Sequence, residues 1–584
     1  PQVADVDMAA LQATLDQWDK EDELAPFITV SEEGAGWVLT YGGASAQAGT
    51  RLNGSFANAF DAINMAIAVL PRGRTEKAKV RVESDVHAGE SATSNGASII
   101  NNLYSIGLPS YTILDFGGHT LYADSADARA LVPVAATRAS HISLRNLVMR
   151  GHARYAIWIQ GCDDAVFDNI ALHMDEKSGL GLRIAERSTT WSRNIYVDNI
   201  VATGLRDNAV ETMKVDGIWI GTIEATDCND CGLLLNTTTN ATVGYVKGVR
   251  CSPRNDKGIY AAMRCANYVG PNVHIHRIEA EECGHAFFSV SANHGIVIDE
   301  IESTNSWAQP ILIQDTQELL IKRGKITAGS HNSSKAVEFA AGSAGGALRV
   351  MNNHFRNLEI VGYDCGFADH AAGVSDFSTF SGCTFTGVKT PYALTGAHNS
   401  IDEKAADSAT TAVAVKGSAV ADSAYRGYTA LKSVTIPASV KEVGEAAFYG
   451  CTALESVTIK GACTIGADAF YGCTALKTLT INGKVTELGD CAFGNTALTE
   501  VALPESVAVF GHNLFSPATR AVTIASSDIK QMKAEAFFNL AAGSTIRFTG
   551  AKAGESHLYH LEKGNPAFGG WGAFWYGFTR SKVE

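Results

Sequence analysis

Asp207, Asp230 and Asp256 each stand two residues ahead of a small residue, Ala209, Gly232 and Gly258, that opens a short apolar run. Aligning those runs on the small residue puts the three carboxylates in one column, one per repeat. Lys177, Arg206, Arg254, Lys257 and His285 flank that column. Like-charged carboxylates within about 5 Å raise one another's pKa unless a cation intervenes. One of them can then act as general acid and another as base in glycoside hydrolysis. The same oxygens also suit Ca2+, which takes several oxygen ligands. In a third use, Lys257 or His285 takes the proton alpha to a uronate carboxylate, and Arg254 or Arg206 neutralises the acid. Asp also stabilises turns with no chemistry at all, because its side chain bonds local backbone. The expected catalytic residues are Asp207, Asp230, Asp256, Lys257 and His285, with no residue assigned to a metal.

The same alignment separates inward from outward positions. Ile157, Leu180, Val210, Leu233, Ile259 and Phe287 are all apolar, and Ile159, Leu182, Thr212, Leu235, Ala261 and Ser289 follow as a second inward column. The column between them reads Trp158, Gly181, Glu211, Leu234, Tyr260 and Phe288 and is expected to face outward. Exposed aromatic rings cost stability unless something covers them, and sugar rings, partner subunits or the protein's own loops would do so. Trp158, Lys177, Arg206, Glu211, Arg254, Tyr260 and Phe288 are therefore the expected substrate-binding residues.

A repeat must hold these columns in register. VFDNIALHM from Val166, IYVDNIVATGL from Ile195, IWIGTIEATDC from Ile218, VGYVKGVRC from Val243, VHIHRIEAEEC from Val273 and IVIDEIEST from Ile296 are variants of one segment. They recur roughly every 23 to 30 residues. Self-similarity at such a period signals a solenoid, and period-two alternation makes its units strands. The fold class expected is mainly β, a parallel β-helix over residues 76–399. Residues 1–75 precede it as a helical segment and cap. Leu11, Leu15 and Trp18 mark one helix; Phe56, Phe60, Ile63 and Ile67 mark another, ended by Pro71 and Gly73. A strand, KVRVESDV, begins at Lys79.

Residues 400–424, rich in Ala, Ser, Asp and Thr, read as a linker. From Tyr425 a second repeat of roughly 22 residues begins: TALKSVTIPASVKEVGEAAFYGC, TALESVTIKGACTIGADAFYGC, TALKTLTINGKVTELGDCAFGN. This stretch, 425–550, resembles the BspA-type leucine-rich repeats of bacterial surface proteins, which implies a second solenoid suited to binding a protein partner. The aromatic-rich stretch 551–584 reads as a C-terminal cap.

FGGHTLYAD from Phe116, with the coils after it, resembles the pectin-lyase-like right-handed parallel β-helix superfamily. That superfamily holds polysaccharide lyases, glycoside hydrolases, epimerases and adhesins. The paired NTD and DD motifs of polygalacturonases are absent here. The resemblance implies a secreted or cell-surface bacterial protein that engages polysaccharide, as a lyase or glycoside hydrolase. The competing classes are a non-catalytic adhesin and a structural oligomer.

Bulk properties narrow the field. A net charge of -14 over 584 residues argues against nucleic acid as partner. No apolar run is long enough to span a membrane. The chain starts at Pro1 without an initiator Met or signal peptide, as a processed or trimmed chain would. Twelve cysteines follow no small-domain framework. Cys451 and Cys473 share one repeat position, as buried structural thiols would, and the lone pair Cys228 and Cys231 lacks the further ligands a zinc site needs.

Overall fold

The computed structural model describes residues 20–549 apart from 22, 53–54, 89–103, 125–130, 186–189, 253–259, 332–333, 342–349, 372–373, 377, 397–398, 402–410, 412, 414, 416, 421–423, 527, 534–535, 538 and 541–543. Arg254, Asp256 and Lys257 lie outside the described residues, as do Leu11, Leu15, Trp18 and the aromatic stretch 551–584. The chain divides into two compact units, Gln2–Asp402 and Glu403–Glu584. Both are β-solenoids, and the first is a parallel β-helix.

In the first unit each repeat segment is a long strand: Asp163–Met174, Ser192–Thr203, Val215–Thr226, Thr238–Val249, Val273–Glu281 and Asn293–Thr304. They stack in parallel, with Ile170, Ile200, Ile223, Val246, Ile278 and Ile301 in one buried column. Two further columns turn the chain. Asp164, Asn194, Gly217, Asn240, Asn272 and Gly295 have positive φ near the start of the long strand, and Gly204, Asp227, Arg250, Glu282 and Asn305 have it just after the end. A left-handed residue bends an extended chain sharply, and Gly, Asn and Asp tolerate that conformation best. The polar residues that end each segment are therefore corners of the coil.

After the second corner a short turn leads to a second strand: Tyr155–Gln160, Leu180–Ala185, Val210–Met213, Leu233–Asn236, Ala261–Ala266, His285–Val290, Ile311–Gln314 and Lys335–Ala340. These belong to a separate sheet of twelve parallel strands. The two sheets enclose one apolar core. Towards its C-terminal end the core fills with Phe339, Phe355, Phe367 and Phe380, with Phe355 stacked on Phe380 at 5.4 Å.

Within the stretch 1–75, expected as a helical segment and cap, two segments are extended. Ile28–Glu33 and Gly36–Tyr41 form an antiparallel hairpin, and Ile28–Glu33 also pairs with the first coil strand, Ala78–Val82. Alternation of Ile28 and Val30, both fully buried, outweighs the helical pattern further upstream. The helix expected around Phe60 is present as Ala59–Ala68, capped by the Asn58 side chain on the Asp61 N–H at 2.8 Å. Its face of Phe60, Ile63 and Ile67 joins the coil core, as a helix covering the open end of a solenoid should.

In the second unit, pairing starts before Tyr425. Ala419–Val420 already lies parallel to Glu442–Val443, so the stretch read as a linker contains a rung. Inside, Phe448, Phe470 and Phe493 stack nearly parallel at 5.1 and 5.4 Å, because each repeat places its Phe at the same height. Cys451 and Cys473 are buried beside them, and none of the twelve cysteines is disulfide-bonded.

Asp490 supplies a pH test of this unit. Burial alone would raise its carboxyl. His512, whose backbone N–H donates at 2.9 Å, and Lys533, whose Nζ lies 2.9 and 3.0 Å from the two oxygens, outweigh burial and hold it below the usual carboxylate range. A depressed folded pKa contributes stability above the unfolded value, about 3.9, and that stability is lost as pH falls through the folded value. The urea midpoint of this unit should therefore drop between pH 5 and pH 3, both round values bracketing that pKa, and Asp490→Asn should flatten the drop while lowering stability at neutral pH. An unaltered pH profile in the variant would show that Asp490 is not a source of the dependence.

Candidate functional site

The outer surface of the twelve-stranded sheet carries Trp158, Glu211, Leu234 and Phe288. Its register is given by the pairing of successive second strands. Trp158 lies beside Arg183, Arg183 beside Glu211, Glu211 beside Leu234, Leu234 beside Arg264, Arg264 beside Phe288, Phe288 beside Leu312 and Leu312 beside Glu338. Trp158, Glu211, Leu234 and Phe288 thus hold the outward column expected of them. Gly181 and Tyr260 do not, and Arg183 and Arg264 stand in their places. Leu180 and Ala261, expected inside, belong to the outer clusters around Trp158 and Phe288. The small residue used for alignment is not equidistant from the strand in every coil, because turn lengths differ.

The column is largely covered. Trp158 is 7% exposed, packs edge-on against Tyr155 at 5.1 Å and donates its indole N–H to the Ala185 carbonyl at 3.3 Å. Phe288 is buried between the His285 ring and the Arg264 guanidinium, whose carbon lies 5.0 Å from the ring centre. Two arginines interleave with the rings. Arg183 lies 4.7 Å over Tyr155, bonds its hydroxyl and reaches Glu211 Oε2 at 3.5 Å. Arg264 spans Tyr260 and Phe288. Arginine stacked on an aromatic face keeps its charge while burying its planar surface.

The turn before each second strand holds the carboxylates, and a backbone ladder fixes their register. The N–H groups of Arg206, Asn229, Ser252, Gly284 and Trp307 each donate to the preceding coil, to Ser178, Leu205, Cys228, Cys251 and Cys283 carbonyls at 2.8–3.1 Å. The next residue in each turn is Asp207, then Asp230, with His285 two coils beyond. Asp207 and Asp230 therefore sit one rung apart, about 4.8 Å along the stack. In the coil before Asp207 the equivalent residue is Leu180, so Lys177 is not in this column but exposed in the turn three residues earlier. Gly179 allows the approach. A Cβ there would lie 2.2 Å from the Arg154 carbonyl oxygen and 3.4 Å from Asp207 Oδ2.

Electrostatics divide the acids. Arg206, mostly exposed, holds Asp207 through both oxygens, Nε to Oδ1 at 3.2 Å and Nη2 to Oδ2 at 3.3 Å. Asp207 first and Asp230 also raise the Arg206 pKa. Glu211 is 8% exposed. Burial pushes its carboxyl above the usual range, the Arg183 charge only partly opposes this, and the Asp207 charge adds to it. Burial followed by the charge of Asp230 pushes the Tyr260 hydroxyl up as well. A carboxylate paired with an arginine, near a buried carboxyl biased towards its neutral form, gives the two unlike environments that acid–base chemistry requires.

His285 is 1% exposed, and its Nδ1 donates to the Gln309 carbonyl at 2.6 Å. Cys228 and Cys231, the lone pair of thiols, part company. Cys228 points into the coil core and Cys231 into the outer cluster with Leu234, where burial pushes its thiol to about 12. Three charged members of the face, Arg183, Arg264 and Glu338, were not among the residues expected there, nor was Leu312. The signal was there for the arginines. Pairing on the apolar doublets Ile157/Ile159, Leu182/Ile184 and Met263/Cys265 puts each arginine, between the members of a doublet, in the Trp158 column. Glu338, buried against Lys335, Gln309 and His370 Nδ1 at 3.0 Å, lies in coils whose repeat is looser.

Comparison with known proteins bears on the two units separately. Residues 411–522 match the BspA type Leucine rich repeat region in 6 copies. Among solved structures the chain is similar to the Azotobacter vinelandii mannuronan C-5 epimerase AlgE6 A-module, at 14% identity over 59% of this chain and 93% of that one, TM-score 0.40. It is also similar to a Yersinia enterocolitica family 28 exopolygalacturonase, at 9% identity over 63% and 82%, TM-score 0.38. PfbA, a surface adhesin of Streptococcus pneumoniae, is similar at 12% identity over 57% and 89%, TM-score 0.35. No curated protein matches the chain. No helix among the described residues is long and apolar enough to cross a membrane.

Proposed function

We propose that the outer face of the twelve-stranded sheet binds a polysaccharide at or outside a cell surface and cleaves its glycosidic bonds by hydrolysis. Glu211 serves as general acid and Asp207, with Asp230 one rung on, as the carboxylate that activates water or attacks the sugar. The observation that carries this reading is the opposed environments of Glu211 and Asp207. Burial biases the Glu211 carboxyl towards the protonated form that a general acid needs, and the Asp207 carboxylate is held by Arg206 on the other side of the reaction. Arg183, Arg264 and Tyr260, all partly exposed, form the surrounding aromatic and cationic surface, which suits sugar rings and acidic substituents, while Trp158 is buried against Tyr155. Hydrolysis is preferred to elimination because His285, a candidate base for elimination, is buried with Nδ1 committed to a carbonyl. Asp256, Lys257 and Arg254, expected at this site from the sequence, lie outside the described residues. The leucine-rich unit positions the protein on a partner.

A screen against acidic and neutral polysaccharides tests this, reading new reducing ends and the ultraviolet absorbance of unsaturated products together. Reducing ends without that absorbance are expected. Absorbance would replace hydrolysis by elimination, with Lys257 as base. Saturable binding with neither signal would leave the face as an adhesive surface.

A further inference from the structure

A second cluster lies on the other sheet and takes no part in that reading. His274 and His276 project from the strand Val273–Glu281, and Asp299 from the next rung, Asn293–Thr304. Ile275 pairs with Ile298, which sets His276 and Asp299 side by side. His274 Nε2 lies 2.9 Å from Asp299 Oδ1, and His276 Nδ1 lies 2.9 Å from Oδ2. The imidazole centroids are 4.3 Å apart. Two ring nitrogens and a carboxylate oxygen thus converge within 4.8 Å of one another, the only such group of three among the described residues. A cation already sits at this carboxylate: Lys322 Nζ, from the following coil, is 2.7 Å from Oδ1. The neighbouring acids Glu300 and Glu302 are engaged by Arg277 and Arg323.

We propose that His274, His276 and Asp299 form a binding site for a divalent late first-row metal ion, Zn2+ in the first instance. Two imidazoles and one carboxylate are the donor set of zinc and its neighbours rather than of Ca2+ or Mg2+, which take oxygen. The strands fix the three Cα positions, so a small side-chain rotation brings the donors to a common centre. His276 is 47% exposed, which gives an ion entry from solvent and leaves its remaining coordination positions to water. The ammonium of Lys322 occupies the place of the ion's charge and must swing away when the ion binds. Lys322, itself 46% exposed on a flexible stem, can do so. Lysine and metal therefore compete for Asp299, and the competition predicts an effect of opposite sign from the ligand variants.

The test is titration of the full chain, carrying no histidine tag, with Zn2+ by calorimetry and with Co2+ by visible absorption. One ion per chain is expected, at a site without the thiolate-to-cobalt charge-transfer band. His274→Ala and His276→Ala should each weaken binding at least about tenfold, and Lys322→Ala should tighten it severalfold. Zn2+ should raise the unfolding temperature of the parent chain and of Lys322→Ala, but not of the two histidine variants. Lack of saturable binding, unweakened binding in both histidine variants, or a thiolate band would overturn the proposal.

Discussion

Glu211→Gln is expected to lower kcat on the cleaved polysaccharide by about 10²–10⁴-fold, the usual contribution of a positioned general acid, while KM changes much less. Gln keeps the size of Glu and its contact with Arg183, so the loss would report the missing proton. Asp207→Asn should cost a similar factor, and it should also relax Glu211, whose carboxyl the Asp207 charge helps to raise. Arg183 gives the discriminating readout. Its charge lowers the Glu211 pKa, so Arg183→Met should raise it, and the basic limb of kcat/KM should move to higher pH. A limb that stays in place would remove Glu211 from the role of acid. The outward column need not be open along its length, because Asp207 sits in the turn at its edge, where it is 33% exposed, while Glu211 stands in the column itself.

Arg145→Ala is expected to destabilise the β-helix by about 3–5 kcal/mol, the cost of leaving buried charges unpaired. Arg145 is 2% exposed and among the largest fully buried side chains of the protein. Its guanidinium donates to Asp168 Oδ2 at 3.1 Å and reaches Glu21 Oε2 at 3.5 Å. Glu21, 4% exposed, also accepts from Lys77 at 2.6 Å and from the Ser143 hydroxyl at 2.8 Å. The network joins a residue ahead of the first coil strand to two successive coils. Arg145→Met should cost nearly as much, because it fills the volume but removes the guanidinium from Asp168 and leaves Glu21 to Lys77 and Ser143 alone. Adding Asp168→Asn to Arg145→Met should recover part of the loss. Chemical denaturation followed by circular dichroism measures all three. A cost under about 1 kcal/mol for Arg145→Ala, the range of exposed pairs, would mean that water replaces the guanidinium.

Much of the architecture was legible because a solenoid repeats its instructions. The DNI of Asp168–Ile170 and Asp198–Ile200 and the alternation around it place one Ile per coil inside, and the strands follow those segments. The hairpin at Ile28–Tyr41 was less legible, since its two short runs lie next to a helical pattern that extends over more residues. The site was legible in part. Asp207 and Asp230 stand in equivalent turns, as aligned, since both turns have the same length up to the small residue that follows. Lys177 and Tyr260 were misplaced because the turns beside them do not. Glu211 was expected to touch substrate only, because a proton preference arises from burial and neighbouring charge, which no spacing along the chain reveals.

Composition and period by themselves determined that this chain is a pair of β-solenoids and which segments form the rungs. They did so because period-two alternation and a fixed repeat leave few ways to bury the apolar positions. Tertiary structure alone decided which side chains are neighbours across coils. A parallel rung is registered by hydrogen bonds between coils, and a turn that gains or loses two residues can shift that register by a full pleat while the inside stays apolar. A shift of two residues put Arg183, in place of Gly181, beside Trp158 and Glu211, and a shift of four put Arg264, in place of Tyr260, beside Phe288. His274, His276 and Asp299 meet without any such shift: Val273 pairs with Ile296 as the repeat segments align, which sets His276 opposite Asp299, and the tertiary structure adds the side-chain approach of all three.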